Sequence, residues 1–286
     1  MPIPSMLLVG NCVIDDIYRL PGYPAEDDEI RALSHQRRLG GNASNSAQTL
    51  AALGHPVSLA VSMANDELAH WALDKLEQAG IDTGLCRRQP GFASPHSTIW
   101  TSEASGSRTI VHHRDLPELS VAELDDLPVQ RFDWIHFEGR NIESLAAWLA
   151  AAGTDPARCS LEIEKPRDGI EQLVSHCHTV IVSSQYLLAK DIDAQQCIAQ
   201  LAQINLRARI VCTLGRRGLA AMDTDRQPLR IAAREVDTVV DSVGAGDCFI
   251  AGLISRLSQG WNFAKSLEFA NHLAATKIQH PGMTIQ

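Results

Sequence analysis

The run Asp241-Ser242-Val243-Gly244-Ala245-Gly246-Asp247-Cys248-Phe249 gathers the residue types that phosphate chemistry needs. Gly244, Ala245 and Gly246 let the chain turn tightly and let a ligand reach the main chain. Phe249, Ile250, Leu253, Ile254 and Leu257 then recur at helical spacing until Gly260, so the spacing predicts a helix that begins at the glycines. The free N–H groups and dipole of such a helix start favour an anion, a polyphosphate included. Asp247, in the first turn, is placed to accept a proton from an alcohol as it attacks phosphorus. An acidic residue that merely favours a helix N-terminus electrostatically would occupy the same position. No Gly-Lys-Ser/Thr follows, so this is not a Walker A loop, and Gly244-x-Gly246 lacks the third glycine of a dinucleotide fingerprint.

A second constellation is Leu39-Gly40-Gly41-Asn42-Ala43-Ser44-Asn45. Two glycines interrupt an extended stretch, and Asn42 and Asn45, three apart at a predicted helix start, project from one face. Each amide both donates and accepts, so the pair suits the vicinal hydroxyls of a polyol. Asn42 acting only as an N-cap is the plainer alternative. Asp15 follows the first predicted strand, where parallel sheets collect ligands. His176-Cys177-His178 makes no metal site, because neighbours on a strand point to opposite faces and no second ligand cluster exists.

Elements must hold these residues together. Strand-like runs at Met6 to Val9, Val57 to Met63, Trp134 to Phe137, Cys159 to Ile163, Thr179 to Val182 and Ile210 to Leu214 alternate with helical patterns, the signature of an α/β fold with a mostly parallel sheet. Val239-Val240 reads as a further strand end feeding the glycine turn. Glu29 to Arg38, and Ser97 to Thr101 with Arg108 to His112 around a Ser105-Gly106 turn, break that rhythm and read as a small accessory sheet. The expectation is one domain over residues 1–286, with lid strands at about 29–38 and 96–113.

With 286 residues, 45 % hydrophobic, the chain can bury a core, and a net charge of -9 excludes broad binding to nucleic acid or anionic membranes. No stretch approaches the roughly 20 apolar residues of a membrane span, and Met1 to Gly10 lacks a cationic leader, so the expectation is a soluble, cytoplasmic protein. Seven scattered cysteines without a C-x-x-C pair read as reduced, mostly buried thiols. The sequon at Asn42 carries no weight without a secretory route.

The two glycine segments, in this order and separation, resemble the two signatures of the ribokinase-like (PfkB) carbohydrate kinases. The stretches Gly106-Ser107-Arg108-Thr109-Ile110, Glu138-Gly139-Arg140-Asn141 and Glu164-Lys165-Pro166-Arg167 are similar to the ketohexokinase branch of that family. The resemblance implies a three-layer α/β/α fold with a small β-sheet lid, and transfer of the ATP γ-phosphoryl group to a ketohexose such as fructose, giving the 1-phosphate. It implies that Asp15, Gly41, Asn42, Asn45, Arg108 and Asp247 contact the sugar, with Asp247 as base. Gly244, Ala245 and Gly246 become the anion hole, and Thr213, Gly215 and Gly218 the turn that holds nucleotide. Mg2+ is implied, K+ dependence is left open, and homodimers would pair through their lid sheets. Two departures stand out: Ser242 replaces the usual threonine, and Ser183-Ser184-Gln185-Tyr186 lacks the acidic member of the family's Asn-x-x-Glu element. Glu162 and Glu164 alternate along an interior strand, so one is expected to face the crevice, with Glu164 the candidate that contacts the metal through water.

Overall fold

In the computed structural model of the chain, residues 2–283 are described. The first eight strands are β1 (Met6–Gly10), β2 (Val13–Leu20), β3 (Ser34–Gly40), β4 (Val57–Ala64), β5 (Ile81–Asp82), β6 (Arg87–Gln89), β7 (His96–Ser102) and β8 (Arg108–His113). The rest are β9 (Trp134–Glu138), β10 (Cys159–Ile163), β11 (Thr179–Val182), β12 (Arg209–Thr213), β13 (Leu219–Met222) and β14 (Pro228–Ile231). The α-helices are α1 (Asn42–Ala52), α2 (Glu67–Gln78), α3 (Val121–Asp125), α4 (Ile142–Ala151), α5 (Ser184–Lys190), α6 (Ala194–Ile204), α7 (Ala245–Ser258) and α8 (Phe263–Lys277).

The large sheet runs in the order β14-β13-β12-β11-β10-β9-β1-β4-β5, with β6 added against β4. Its strands pair in parallel from β12 across to β5, and only β13 and β14 are antiparallel. Successive residues of a strand serve opposite layers, as the period of two demands. Met6 and Leu8 pack with Phe249, Leu253 and Leu267 of α7 and α8, whereas Leu7 and Val9 pack with Trp148 and Leu149 of α4. Buried on both faces, these strands are the near-continuous apolar runs of the sequence.

From β1 the chain moves to β4 and β5 on one side, and from β9 to β12 on the other. The β1/β9 junction is therefore the point where strand order reverses, and a crevice opens there at the carboxyl ends. The amino ends of α1 and α7 and the carboxyl ends of β1 and β9 converge on it.

A separate four-stranded sheet, β3-β2-β7-β8, stands beside the large one. The hairpin of β7 and β8 forms as read from the sequence, with Gly106 in the left-handed region at φ 65. The other half corrects that reading. The strand expected from Glu29 starts only at Ser34, and its partner is β2, which begins three residues after β1 ends. Asp15 thus follows the first core strand as expected, but as part of a strand of the small sheet. Val239 and Val240 are not a strand either: they are 50 % and 56 % exposed on an irregular segment. His176 closes a 3-10 turn and the adjoining Cys177 is buried, so the His-Cys-His run lies on no strand.

Candidate active site

Helix α7 starts at Gly244, whose φ of 81 lies in the left-handed region open to glycine. A Cβ there would also stand 2.5 Å from the Met283 sulfur. No side chain caps this helix start, and apart from the Ala245 N–H, which donates to the Ser242 carbonyl at 3.4 Å, its first N–H groups remain for an outside acceptor among the described residues. Space in front of Gly246 is open, with nothing within 4 Å of where a Cβ would stand. Asp247 follows, buried, and its Oδ2 accepts a hydrogen bond from Asn45 Nδ2 at 2.7 Å. The Ser46 hydroxyl donates to the Asp247 carbonyl at 3.2 Å, which fixes α1 against α7.

Asn42 and Asn45 do share one face of α1, and each holds a carboxylate: Asn42 Nδ2 donates to Glu162 Oε1 at 3.1 Å. The N-cap is Gly41, not Asn42, so the capping alternative does not hold. Glu138, at the end of β9, accepts the Asn11 N–H at 2.9 Å and the Ala43 N–H at 3.3 Å. Arg140 lies 3.7 Å from its other oxygen, and Glu118 ties Arg140 to Arg114 at 2.8 and 3.0 Å.

Three carboxylates thus sit in one dry crevice. Burial pushes Asp247 up to about 7, with Glu138 and Glu164 adding to the rise while Asn45 and Lys277 oppose it. Burial likewise raises Glu138 to about 7 and Glu162 well above the usual carboxylate range, Asp247 being the next cause for Glu162. Among the described residues Glu162 Oε2 is buried without a hydrogen-bond partner. Such an oxygen calls for a group from outside the chain.

The small sheet supplies the facing wall. Asp15 lines a cavity of about 360 Å³ together with Arg38, Asn45, Gln48, Asp241 and Val243. Its carboxyl lies so close to Gly40 that a Cβ there would stand 2.1 Å from Oδ2 and force the Asp15 side chain to move. Burial raises its pKa. From β8, exposed Arg108 reaches the glycine segment through Nη1 to the Ser242 hydroxyl at 3.2 Å. Arg38, from β3, ion-pairs with Asp241 at 2.7 Å.

Residues expected at the nucleotide lie on another strand end. Thr213 ends β12 with its hydroxyl on the Val182 carbonyl at 3.3 Å, and Gly215 and Gly218 bound the 3-10 turn that follows. Among the described residues no hydrogen bond joins this turn to Asp247. Glu164 stands beyond the end of β10, 3.6 Å from the Lys165 ammonium, so the carboxylate that the fold buries in the crevice is Glu162. Sequence reasoning missed Glu138, Asn11, Arg114, Glu118 and Lys277, and it gave Asp241 no role. For Glu138 the hints were a charge inside the apolar run Trp134 to Glu138 and its place in the Glu138-Gly139-Arg140-Asn141 stretch, neither of which gave it a role.

Among the described residues no three His, Cys, Asp or Glu side chains make a metal cage. Oxygen donors such as Glu162 and Asp247 still suit Mg2+, which is usually held by one or two carboxylates, water and substrate phosphates. Also among the described residues, no helix is long and apolar enough to cross a membrane.

Comparison with known proteins points one way. The pfkB family carbohydrate kinase model matches residues 4–286. Ketohexokinase of Mus musculus is 33 % identical over 286 residues, covering 96 % of this chain and 95 % of that protein. Among solved structures, ribokinase from Giardia lamblia superposes with a TM-score of 0.82 at 16 % identity, over 99 % of this chain and 95 % of the other. Ribokinase of Arabidopsis thaliana, complexed with ribose and ATP, gives a TM-score of 0.77 at 19 % identity, over 98 % and 94 %.

Proposed function

The chain belongs to the pfkB family of carbohydrate kinases, and from that premise we propose that it transfers the ATP γ-phosphoryl group to a free ketohexose such as fructose, at its 1-hydroxyl. The observation that carries the proposal is Asp247: a buried carboxylate on an uncapped helix start, held by Asn45 across from the Asp15 wall.

In this reading the sugar occupies the cavity under the small sheet, where Asp15, Asn42, Asn45 and the Gly41 main chain orient its hydroxyls. Asp247 takes the proton of the attacking hydroxyl. The N–H groups at Gly244, Ala245 and Gly246 receive the negative charge that develops on phosphate, and Arg108 adds its fork from the lid side. Nucleotide lies along the crevice toward Thr213, Gly215 and Gly218. Mg2+ would be held beside Glu162, with Glu164 behind it through water, and supplies charge neutralisation at the phosphates when bound. Positioning and electrostatics then account for most of the catalysis.

A phosphorylated acceptor would need basic residues near the sugar, and Arg37 and Arg38 are the candidates. Both are engaged: Arg37 binds Asp16 through two hydrogen bonds of 2.9 Å, and Arg38 binds Asp241. That favours a neutral sugar. Pairing through the small sheets and residence in the cytoplasm complete the proposal.

The test is ADP release with ATP and Mg2+, with and without K+, against ketoses, aldoses, nucleosides and phosphosugars, with Asp247→Ala alongside. Turnover on fructose that vanishes in the variant supports the reading. Turnover restricted to another acceptor keeps the chemistry and overturns the substrate. ATP and sugar binding without turnover would make the protein a sensor, the reading that the missing Asn-x-x-Glu acid favours.

A further inference from the structure

Lys277, the last residue of α8, is fully shielded from solvent, and the proposed chemistry makes no use of it. An ammonium removed from water is costly unless oxygen atoms replace its hydration. Here the oxygens belong to one residue: the Asp241 carbonyl at 2.7 Å and Asp241 Oδ2 at 3.5 Å. The shorter contact goes to the main chain. The Asp241 carboxylate is already served by Arg38 at 2.7 Å, by the Val243 N–H at 3.0 Å and by the Gly282 N–H at 3.0 Å. The next residue, Ile278, accepts the N–H groups of Val240 and Asp241 through its carbonyl at 2.8 and 3.1 Å. Lys277 and Ile278 therefore grip the peptide groups on either side of Asp241, just before the turn at Ser242 to Gly244 that opens α7.

We propose that Lys277 is a positioning residue for phosphoryl transfer: its ammonium holds the Asp241 carbonyl, and so fixes the turn that presents the N–H groups of α7 to phosphate. The inference rests on the kinase reading of the same site. Lys277 also fixes a cation at Asp241, six residues before Asp247. Among the charges acting on Asp247, Lys277 lowers its pKa while Glu138 and Glu164 raise it.

A lysine that served stability alone would behave otherwise. Asp241 keeps three other partners when Lys277 is lost, and an apolar side chain of similar length fills the buried path, so Lys277→Met should fold. The expected result is a thermal midpoint within a few degrees of wild type and kcat lower by about tenfold or more, with a smaller change in sugar KM. The acid limb of the kcat profile should move to higher pH, and hydrogen exchange should quicken at the amides of Ser242 to Gly246. Lys277→Ala, which leaves a cavity, should regain part of its kcat with added methylammonium, an addition without effect on wild type. Folded Lys277→Met with wild-type kcat, acid limb and exchange would overturn the proposal. Unfolding of both variants would overturn it too, because the residue would then serve the fold and not the loop. A wild-type chain that phosphorylates no sugar fails the kinase reading by itself, while exchange at Ser242 to Gly246 in Lys277→Met still decides whether the clamp exists.

Discussion

Asp247→Asn separates catalysis from stability in one substitution. The side chains have nearly the same shape, and asparagine can still accept the Asn45 amide through its oxygen. What disappears is a carboxyl whose pKa burial raises from 3.8 to about 7. A change of that size corresponds to about 4 kcal/mol between the two protonation states, an upper bound where carboxylates share a crevice. The sign follows from proton binding. Between pH 3.8 and about 7 the unfolded chain gives up the proton while the folded one retains it, so rising pH destabilises the wild-type fold. The penalty is complete above about 7 and absent below the unfolded value. Asp247→Asn therefore melts several degrees above wild type at pH 8, at about 2 °C per kcal/mol, and the gain shrinks to less than half at pH 5. At pH 8 its kcat falls by about 10²- to 10⁴-fold, as expected for a lost base. The assay is thermal unfolding at the two pH values beside coupled ADP release. A midpoint gain that is absent at pH 8, or equal at both pH values, refutes the argument from burial, and a kcat kept within a few-fold refutes the base.

Three further outcomes are expected. The acid limb of kcat/KM should lie near 7, where a free carboxylate would put it near 4, and Glu138→Gln should move it down, since the Glu138 charge raises Asp247; pH profiles of the two proteins decide. Gly244→Ala should cost about 1–2 kcal/mol from its left-handed backbone, more where the new Cβ meets Met283, and should lower kcat, whereas Gly22→Ala, with open space around it, should change neither midpoint nor rate. Arg108→Ala, on an exposed strand, should leave stability within about 0.5 kcal/mol and lower kcat by at least tenfold; denaturant titration and steady-state kinetics check both parts.

The sequence alone determined the parts whose information is local. Apolar runs a few residues long marked the buried strands, and β10 and β11 fall where they were read. Glycine pairs followed by helical periodicity located the starts of α1 and α7, because tight turns and helix starts are written in neighbouring residues. Boundaries set by partners were not legible. The Val13–Leu20 stretch mixes polar and apolar residues, and only its pairing with β3 and β7 makes it a strand of the small sheet and carries Asp15 there. Val239-Val240 has strand composition, but its backbone neighbour is Ile278, just past the end of α8, and among the described residues no strand lies beside it. The same limit applies to charge. Glu138 and Lys277 read as single polar residues among apolar ones, and the alternation of Glu162 with Glu164 left open which of the two is buried, because the partners that make burial tolerable are far off in the chain: Asn42 lies 120 residues from Glu162, and Asn45 lies 202 from Asp247. Tertiary structure alone decided which carboxylates share a dry crevice, and burial beside one another, a property of no single residue, is what shifts their protonation toward neutral pH.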